Sequence, residues 1–444
     1  MPAPVTLSGW GRFPRQPTRL VAPRGDEGFA GLLAAGEGLI ARGHGRAYGD
    51  AAVGRPVTAA TRHLDRMIAF DPATGQLVAE AGVTLAEVIA AFLPRGWFPS
   101  VTPGTRFVTL GGAIAADVHG KNHHRDGSFG AFVDWLDLMG PDGTVRRCSR
   151  GENADLFGWT LGGMGLTGII LRAAIRLRPV ETGWIRQETR PAADLDAAIA
   201  LMEEARPATY SVAWIDCLSQ GAALGRSLVL IGEHATGAEL TPRERPHPWG
   251  PARRSRTVPF DAPPGLLNGW TVGAFNALYW RNGLRAQGTR LVDWESYFYP
   301  LDAILGWNRI YGPRGFAQYQ CVLPLAESAR GLRRLIGAIG AAGAGSFLSV
   351  LKRLGAQESR FSFPMEGYTL ALDFPVGRRS LALMERLDRI VLDHGGRFYL
   401  AKDARMGAAT LAASDPRVAH FTAMRAGAGL AAAFRSAQSE RLDL

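Results

Sequence analysis

The chain has 444 residues, about three times the roughly 150-residue domain prior, so two domains are expected. Apolar residues at 47% and charged residues at 20% supply a large core, and 55 glycines without a Gly-X-Y period exclude collagen and point to many tight turns. The formal charge of +10 invites a polyanionic partner. No RRM, KH, zinc-finger or helix-turn-helix pattern accompanies that charge, so no nucleic-acid partner is expected.

In chain order, MPAPVTLSGWGRFPR lacks the apolar segment of a signal peptide. Residues 36–60 read as the strand GLIAR followed by the glycine loop GHGRAYGD. Residues 65–92 read as a strand, a turn at Asp71-Pro72 and Thr74-Gly75, the strand QLVAEAG and a helix from Thr84. Glu87 three residues after Thr84 makes a capping box. A long irregular stretch rich in Gly, His and Thr follows. Strands resume at 131–148 around the turn Pro141-Asp142-Gly143, and 151–179 read as a short helix, a glycine loop and the strand GIILRAAIRLRP.

A composition shift near 180–195 marks a domain boundary. Beyond it, strands (YSVAWIDCL, SLVLIGEH, FAQYQCVLP, SFLSVLKRLG, YTLALDFPV, RFYLAKD) alternate with helices near 192–205, 325–341 and 379–394. The absence of a clean βαβ succession predicts an α+β domain with a largely antiparallel sheet. The uncharged run Leu335–Leu351 is interrupted by Gly337, Gly340, Gly343 and Gly345 and is too short to span a bilayer, so it reads as helix, turn and strand. Cys148, Cys217 and Cys321 are too few and too scattered for a disulfide framework or a zinc site, which makes a reducing, cytoplasmic location the expectation.

Several motifs bear on chemistry. Gly163 to Gly168 match G-x-G-x-x-G, but a helix-like segment precedes the glycines and a β-branched run follows, the inverse of a dinucleotide-binding βα turn. The loops ARGHGRAYGD and TPGTRFVTLGGAIAADVHGKN suit two anion cradles, through Gly43, Gly45 and Gly49 and through Gly104, Gly111 and Gly112. His119, His123 and His124 lack the helical continuity and the glutamate of a zinc motif, so no metal is expected. Only three of the 50 basic residues are lysines, Lys121, Lys352 and Lys402. An ammonium is a compact point charge that a guanidinium fork does not mimic. The segment 241–264 concentrates Arg243, Arg245, Arg253, Arg254 and Arg256 among prolines, and with Trp249 and Phe260 it suggests peripheral contact with a lipid surface.

ARGHGRAYGD, TPGTRFVTLGGAIAADVHGKNHHRDGSFG, GGMGLTGIILRAAI, FYPLDAILGWNRIYGPRGFAQYQ, LKRLG, SFPMEGYTLALDFP and GGRFYLAKDAR together resemble the decaprenylphosphoryl-β-D-ribose 2′-oxidases. These are the flavin subunits of a ribose 2′-epimerase, within the vanillyl-alcohol-oxidase (PCMH-type) FAD family. The resemblance runs in order along nearly the whole chain. It implies a two-subdomain FAD-binding domain over 1–185, completed by 397–444, and a substrate domain over 186–396 whose antiparallel sheet is covered by helices. FAD would be lined by Ala41, Arg42, Gly43, His44, Gly45, Arg46, Ala47, Tyr48, Gly49, Asp50 and Ala51. Gly104, Thr109, Leu110, Gly111, Gly112, Ala116, Asp117, Val118, His119, Ile170 and Tyr399 would complete the lining.

The implied catalytic groups are Lys402, His119, Tyr48 and Lys121, with Lys352, Gln318, Gln320, Thr369 and Ala371 toward substrate. A fixed ammonium at Lys402 would face the flavin N1 and C2=O edge. Lys121 and Lys352 would steer phosphate or sugar hydroxyls, assisted by Gln320. The proton acceptor is left between His119 and Tyr48.

The implied activity is FAD-dependent oxidation of the 2′-hydroxyl of a polyprenylphosphoryl ribose, with a separate NADH-dependent short-chain reductase completing the epimerisation. Arg46 stands where relatives with covalently bound flavin carry histidine, so non-covalent FAD is expected, with His44 the remaining candidate for attachment. The family pattern GWNxCxDFP reads GYTLALDFP here, with Thr369 for asparagine and Ala371 for cysteine. Inhibitors that trap that cysteine covalently are therefore not expected to act. The competing expectations are an O₂-using oxidase of free alditols or aldonolactones, and a basic membrane- or nucleic-acid-binding protein with a vestigial flavin site.

Overall fold

The computed structural model describes residues 3–251, 253–263 and 265–444. Four short strands, β1 (Val5–Leu7), β2 (Gln16–Val21), β3 (Leu39–Arg42) and β4 (Val57–Ala60), form a sheet ordered β1-β2-β4-β3. Its β2-β4 and β3-β4 pairs are parallel, and the intervening helix Gly25–Ala34 packs Phe29 and Leu33 into the core they share with Leu39 and Val57. The second sheet is antiparallel. It comprises β5 (Met67–Asp71), β6 (Gln76–Glu80), β7 (Trp97–Pro99), β8 (Val133–Met139), β9 (Val145–Ser149) and β10 (Ile169–Pro179).

The helix Leu85–Phe92 starts with the expected Thr84/Glu87 capping box and buries Leu85, Val88, Ile89 and Phe92. Buried positions at i, i+3, i+4 and i+7 make a single core-facing stripe. The Gly163–Gly168 loop is entered from the helix Ala154–Thr160 and left through β10, so its context is indeed the reverse of a dinucleotide-binding turn.

The remaining strands are β11 (Trp184–Ala192), β12 (Tyr210–Ile215), β13 (Ser227–His234), β14 (Arg256–Thr257), β15 (Gly288–Asp293), β16 (Ile304–Leu305), β17 (Phe316–Pro324), β18 (Ser349–Leu354), β19 (Gly367–Pro375) and β20 (Arg397–Phe398). β14 and β16 pair with each other, and the other eight form one sheet ordered β15-β11-β13-β12-β18-β19-β17-β20. Its strand pairings among the described residues are antiparallel, as the α+β expectation requires. Alternate side chains of a strand point to opposite faces. Tyr319, Cys321 and Leu323 of β17 and Leu370, Leu372 and Phe374 of β19 join the core built with Leu332, Leu335 and Ile339 of the helix Leu325–Ala341 and Met384, Leu387 and Val391 of the helix Arg378–Asp393. The residues between them necessarily face the other way.

Several elements have no counterpart in the sequence expectations: β1, β2, the helix Gly25–Ala34, the 17-residue helix Gly269–Arg285, β15 and the C-terminal helices from Ala408 onward. Within 241–264, Ala252 and Pro264 lie outside the described residues. Trp249 packs partly buried against the cluster of Phe98, Tyr297 and Phe298, and its carbonyl accepts from Trp294 Nε1 at 3.2 Å. Arg253 is held by Asp293, whereas Phe260 is exposed. The first part of this segment is therefore docked on the protein.

The C-terminal segment returns to the first half of the chain. Phe434 bridges Leu39 and Ser436 bridges Gly54, while Ala401 accepts the Tyr48 amide at 2.9 Å. Arg441 fastens this return by pairing with Asp50 at 2.7 Å and Asp403 at 2.9 Å. Both carboxylates are buried, and burial pushes the Asp50 pKa up even with Arg441 beside it. Removing the cation would leave two buried carboxylates facing each other. Arg441→Ala is expected to destabilise the protein by about 3 kcal/mol at neutral pH in denaturant unfolding. A carboxylate whose pKa is raised by folding binds its proton more tightly in the native state, so stability falls as pH rises. The deficit should therefore shrink as pH is lowered toward 5.

Candidate active site

Period-2 alternation puts Thr369, Ala371 and Asp373 on the face of β19 turned away from the helices. The register sets Asp373 opposite Gln318, Ala371 opposite Gln320 and Thr369 opposite Lys352. Adjacent strands thus bring two amides, an ammonium, a hydroxyl and a carboxyl onto one patch of sheet. Gln320 Nε2 donates to Thr369 Oγ1 at 3.2 Å, whose hydroxyl donates to the Cys321 carbonyl at 2.8 Å. Gln318 Nε2 donates to Asp373 Oδ1 at 2.6 Å, and the Tyr311 hydroxyl donates to Asp373 Oδ2 at 3.4 Å.

Facing this patch are groups from the first 125 residues and from the C-terminal return. His119 Nε2 lies 3.0 Å from Gln320 Nε2. The Lys402 ammonium sits 3.8 Å from the centroid of the Tyr48 ring, a cation–π contact. Their proximity follows from the backbone, since Ala401 accepts the Tyr48 amide and Tyr399 accepts the Lys402 amide. Lys121 donates to the Tyr297 carbonyl, and its Nζ lies 4.1 Å from that ring centroid. All three lysines of the chain thus converge on one site.

Among the described residues the ion pairs are made by arginines and His394, and no lysine takes part in one. Burial lowers the Lys121 pKa to about 7, with Lys352 adding like-charge repulsion, and burial lowers Lys352 to about 8. Lys402 is lowered to about 7 by burial against the attraction of Asp373, and burial raises Asp373 to about 7. Two lysines without a countercharge, beside a third only partly offset, form a site that an anion would relieve.

Hydrogen bonding fixes the histidines. Gln320 offers one N–H to Thr369 and the other to His119 Nε2, so His119 carries its proton on Nδ1. That Nδ1 is buried without a partner, and burial together with Lys352 holds the imidazole pKa well below its usual value. His123 accepts from the Gly355 amide at Nδ1 and meets Gln357 Oε1 at 2.8 Å, and His124 meets the Ala208 carbonyl at 2.9 Å. These bonds account for two of the three histidines as structural groups, and no metal-holding cluster occurs among the described residues.

The FAD-lining residues of the sequence expectation fall into two groups. The 43–47 loop amides donate to no acceptor in the protein among the described residues, and Arg46, stacked 4.2 Å from the Trp10 centroid, keeps a buried Nε without a partner. A Cβ at Gly43 would meet Thr109 Oγ1 at 2.1 Å and one at Gly49 would meet the Asp403 carbonyl at 2.1 Å, so these glycines let the first loop abut both the second loop and the Lys402 segment. Unpaired amides beside a fixed guanidinium fit a pyrophosphate, so the residues present suit FAD.

Others are committed to the protein. Asp117 accepts from Ser128, Gly130 and Gln357, and Asp50 is held by Arg441. Thr109 caps the short helix Leu110–Ala115, while the Leu110 and Gly111 amides donate to Val83 and Ala81. Leu110, Val118 and Ile170 are buried in the core. Tyr399 donates to the Ala116 carbonyl at 2.9 Å and stacks on Phe363, and His44 is exposed.

Asp373 and Tyr311 were not singled out from the sequence. Asp373 stands at i+2 from Ala371 and i+4 from Thr369 on the same strand, and that period would have found it. Tyr311 has no such signal, because it lies in the 3₁₀ turn Trp307–Tyr311.

Residues 32–149 match the FAD binding domain family. The chain is 37% identical over 99% of its length to decaprenylphosphoryl-beta-D-ribose oxidase of Mycolicibacterium smegmatis, covering 97% of that protein. It is 35% identical over 82% of its length to an uncharacterized protein of Streptomyces coelicolor, covering all of it. Over 39% of its length it is 30% identical to cytokinin dehydrogenase 5 of Arabidopsis thaliana, covering 35% of that enzyme.

With only three lysines, ε-carbon NMR of labelled lysine reports each one separately. Titrations near 7, 8 and 7 are expected for Lys121, Lys352 and Lys402, and Asp373→Asn should move Lys402 lower by roughly one unit. Each ammonium releases its proton earlier in the folded state than in the unfolded chain. Between about pH 7 and 10 the lysines therefore make the ligand-free protein more stable as pH rises. Three resonances titrating near 10.5 would contradict the site.

Proposed function

Because the chain belongs to the decaprenylphosphoryl-β-D-ribose oxidase family of FAD-dependent oxidoreductases, we propose that it oxidises the 2′-hydroxyl of a polyprenylphosphoryl-β-D-ribose to the 2′-keto sugar, the first half of epimerisation to the arabinose donor. Residues 1–185 and 397–444 form the cofactor side in this reading, and 186–396 the substrate side. The observation that carries it is the convergence of the three lysines, none in an ion pair, on a polar sheet face next to the unpaired 43–47 amides. A sugar phosphate supplies the missing negative charge and the hydroxyls that this face can bind.

The 43–47 loop and Arg46 would hold FAD non-covalently, and FAD would supply a hydride acceptor for oxidation at C2′. Lys121 and Lys352 bind the phosphate and are restored to full charge by it. Gln320 and Thr369 hold the sugar hydroxyls, and His119 adds its unpartnered Nδ1–H as a donor. The hydroxyl proton passes to the Lys402–Asp373 pair. The sequence left this role between His119 and Tyr48, but His119 Nε2 already accepts from Gln320, and burial keeps the Tyr48 phenol neutral by raising its pKa well above the usual value. Burial moves the Lys402 pKa down and the Asp373 pKa up, and so brings both groups toward the range in which they can take up and return a proton near neutral pH.

The product needs a reduction that this chain is not equipped to perform, since its G-x-G-x-x-G loop lies between a helix and a strand. A separate NADH-dependent short-chain reductase completes the epimerisation.

Anaerobic mixing of the FAD-loaded protein with a polyprenylphosphoryl ribose should bleach the flavin absorption on a catalytic timescale. Lys402→Met should slow bleaching by roughly 10²- to 10³-fold. Lys352→Met should raise the substrate Kd about tenfold, the loss of one hydrogen bond to a charged group. A yellow protein that this substrate leaves unbleached while a free alditol bleaches it would overturn the assignment.

A further inference from the structure

The 17-residue helix Gly269–Arg285 is turned inside out relative to an ordinary surface helix. Its inward stripe is narrow and consists of Val272, Asn276 and Gly283. Asn276 donates to Asp216 at 2.8 Å, and a Cβ at Gly283 would meet Leu228 at 2.1 Å, so the helix is pinned close to β13. At 100° per residue the opposite face carries Trp270, Ala274, Ala277, Leu278, Arg281, Leu284 and Arg285. Trp270 is 91% exposed, Leu278 59% and Leu284 41%. Before the helix, Phe260 is 72% and Leu266 50% exposed, and β16 adds the exposed pair Ile304 and Leu305. Large apolar side chains exposed along one helical face mark an interaction site.

Basic residues predominate in the sequence around it, although Asp293, just beyond, holds Arg253. Between residues 245 and 292 there are seven arginines (Arg245, Arg253, Arg254, Arg256, Arg281, Arg285 and Arg290) and a single acidic residue, Asp261, which Arg12 holds at 2.6 Å. A two-fold contact with a second copy would bring two arginine-bearing faces together. An apolar helical face carrying tryptophan and leucine among arginines suits the boundary between lipid headgroups and acyl chains instead.

The surface is also joined to the site. Rings run without a break from Phe275 on the helix to Phe347 (5.7 Å between centroids), Tyr311 (6.0 Å), Phe316 (4.3 Å) and Tyr48 (5.4 Å). Leu267, just before the helix, packs on the same cluster.

We propose that the outer face of the helix Gly269–Arg285, with Phe260 and Leu266 beside it, docks on an anionic lipid bilayer and presents the active site to a substrate whose prenyl chain stays in that bilayer. The inference rests on the proposed lipid-linked substrate. It moves the membrane contact from Trp249, which the fold holds against β11 and β15, to the neighbouring helix. No helix among the described residues is long and apolar enough to cross a membrane, so this contact is interfacial.

The test is co-sedimentation of the full FAD-loaded chain with vesicles of phosphatidylglycerol and phosphatidylcholine, alongside Trp270→Glu, Leu278→Glu and Arg281→Ala/Arg285→Ala. Wild type should bind, with a blue shift of tryptophan emission that is lost in Trp270→Glu. Each glutamate variant should weaken partitioning at least about tenfold, and each arginine removed should weaken it about fivefold, with a reduced salt dependence. All variants should bleach their flavin at the wild-type rate with a short-chain, water-soluble prenylphosphoryl ribose. Vesicle binding that the glutamate variants leave unchanged overturns the proposal. So does a protein that ignores vesicles but forms a dimer or a complex with the reductase that Trp270→Glu disperses. Vesicle binding of the predicted pattern without bleaching by any prenylphosphoryl ribose supports the surface and removes the proposed substrate. Bleaching without vesicle binding does the reverse.

Discussion

Keeping three ammonium groups inside one protein is the constraint around which this molecule is arranged. Taking a lysine out of water opposes its charge, and a second lysine nearby opposes it further. Elsewhere the chain meets its need for cations with arginines, most of them paired with carboxylates across the surface. At the site the pairing is withheld from Lys121 and Lys352 and only approached at Lys402, so the pKa values fall to about 7, 8 and 7. Such an arrangement persists only where the surrounding structure overdetermines it.

The overdetermination comes from two directions. On one side the eight-stranded sheet is backed by the helices Leu325–Ala341 and Arg378–Asp393, whose leucines fill the far face and leave the near face free for polar groups. On the other side the glycine loop at 43–49 and the return at 399–403 are locked together by the main-chain bond from Tyr48 to Ala401 and by Arg441 bridging Asp50 and Asp403. Tyr48 and Lys402 inherit their positions from that lock. A polar face on a rigid sheet opposite a clamped loop holds side chains more closely than a site built on loops alone.

The same division explains how a basic protein with exposed tryptophan can work on a lipid-linked sugar. The charged end of such a substrate belongs among the lysines, and its apolar end belongs with lipid. The aromatic run from Phe275 to Tyr48 lies between those two environments. The buried site and the exposed helix are joined through these packed rings.

The sequence by itself determined the class of fold, the antiparallel character of the second half, the capped helix at Thr84 and the inverted setting of the Gly163–Gly168 loop. These follow from local periodicity and turn chemistry, which a short window contains. It also singled out the three lysines, because a rare residue in an arginine-rich chain is visible without a structure.

What the tertiary structure decided is who stands next to whom. Strand register set Gln318 against Asp373, 55 residues on, and Lys352 against Thr369, and no local pattern encodes which strands pair or in what register. The hydrogen bond from Gln320 fixed the His119 tautomer and turned a candidate base into a donor. The helix Gly269–Arg285 escaped notice in the sequence because its apolar residues lie on both faces, and periodicity finds a helix only when one face is apolar and the other polar. Packing on β13 selected which face is buried and left the other exposed.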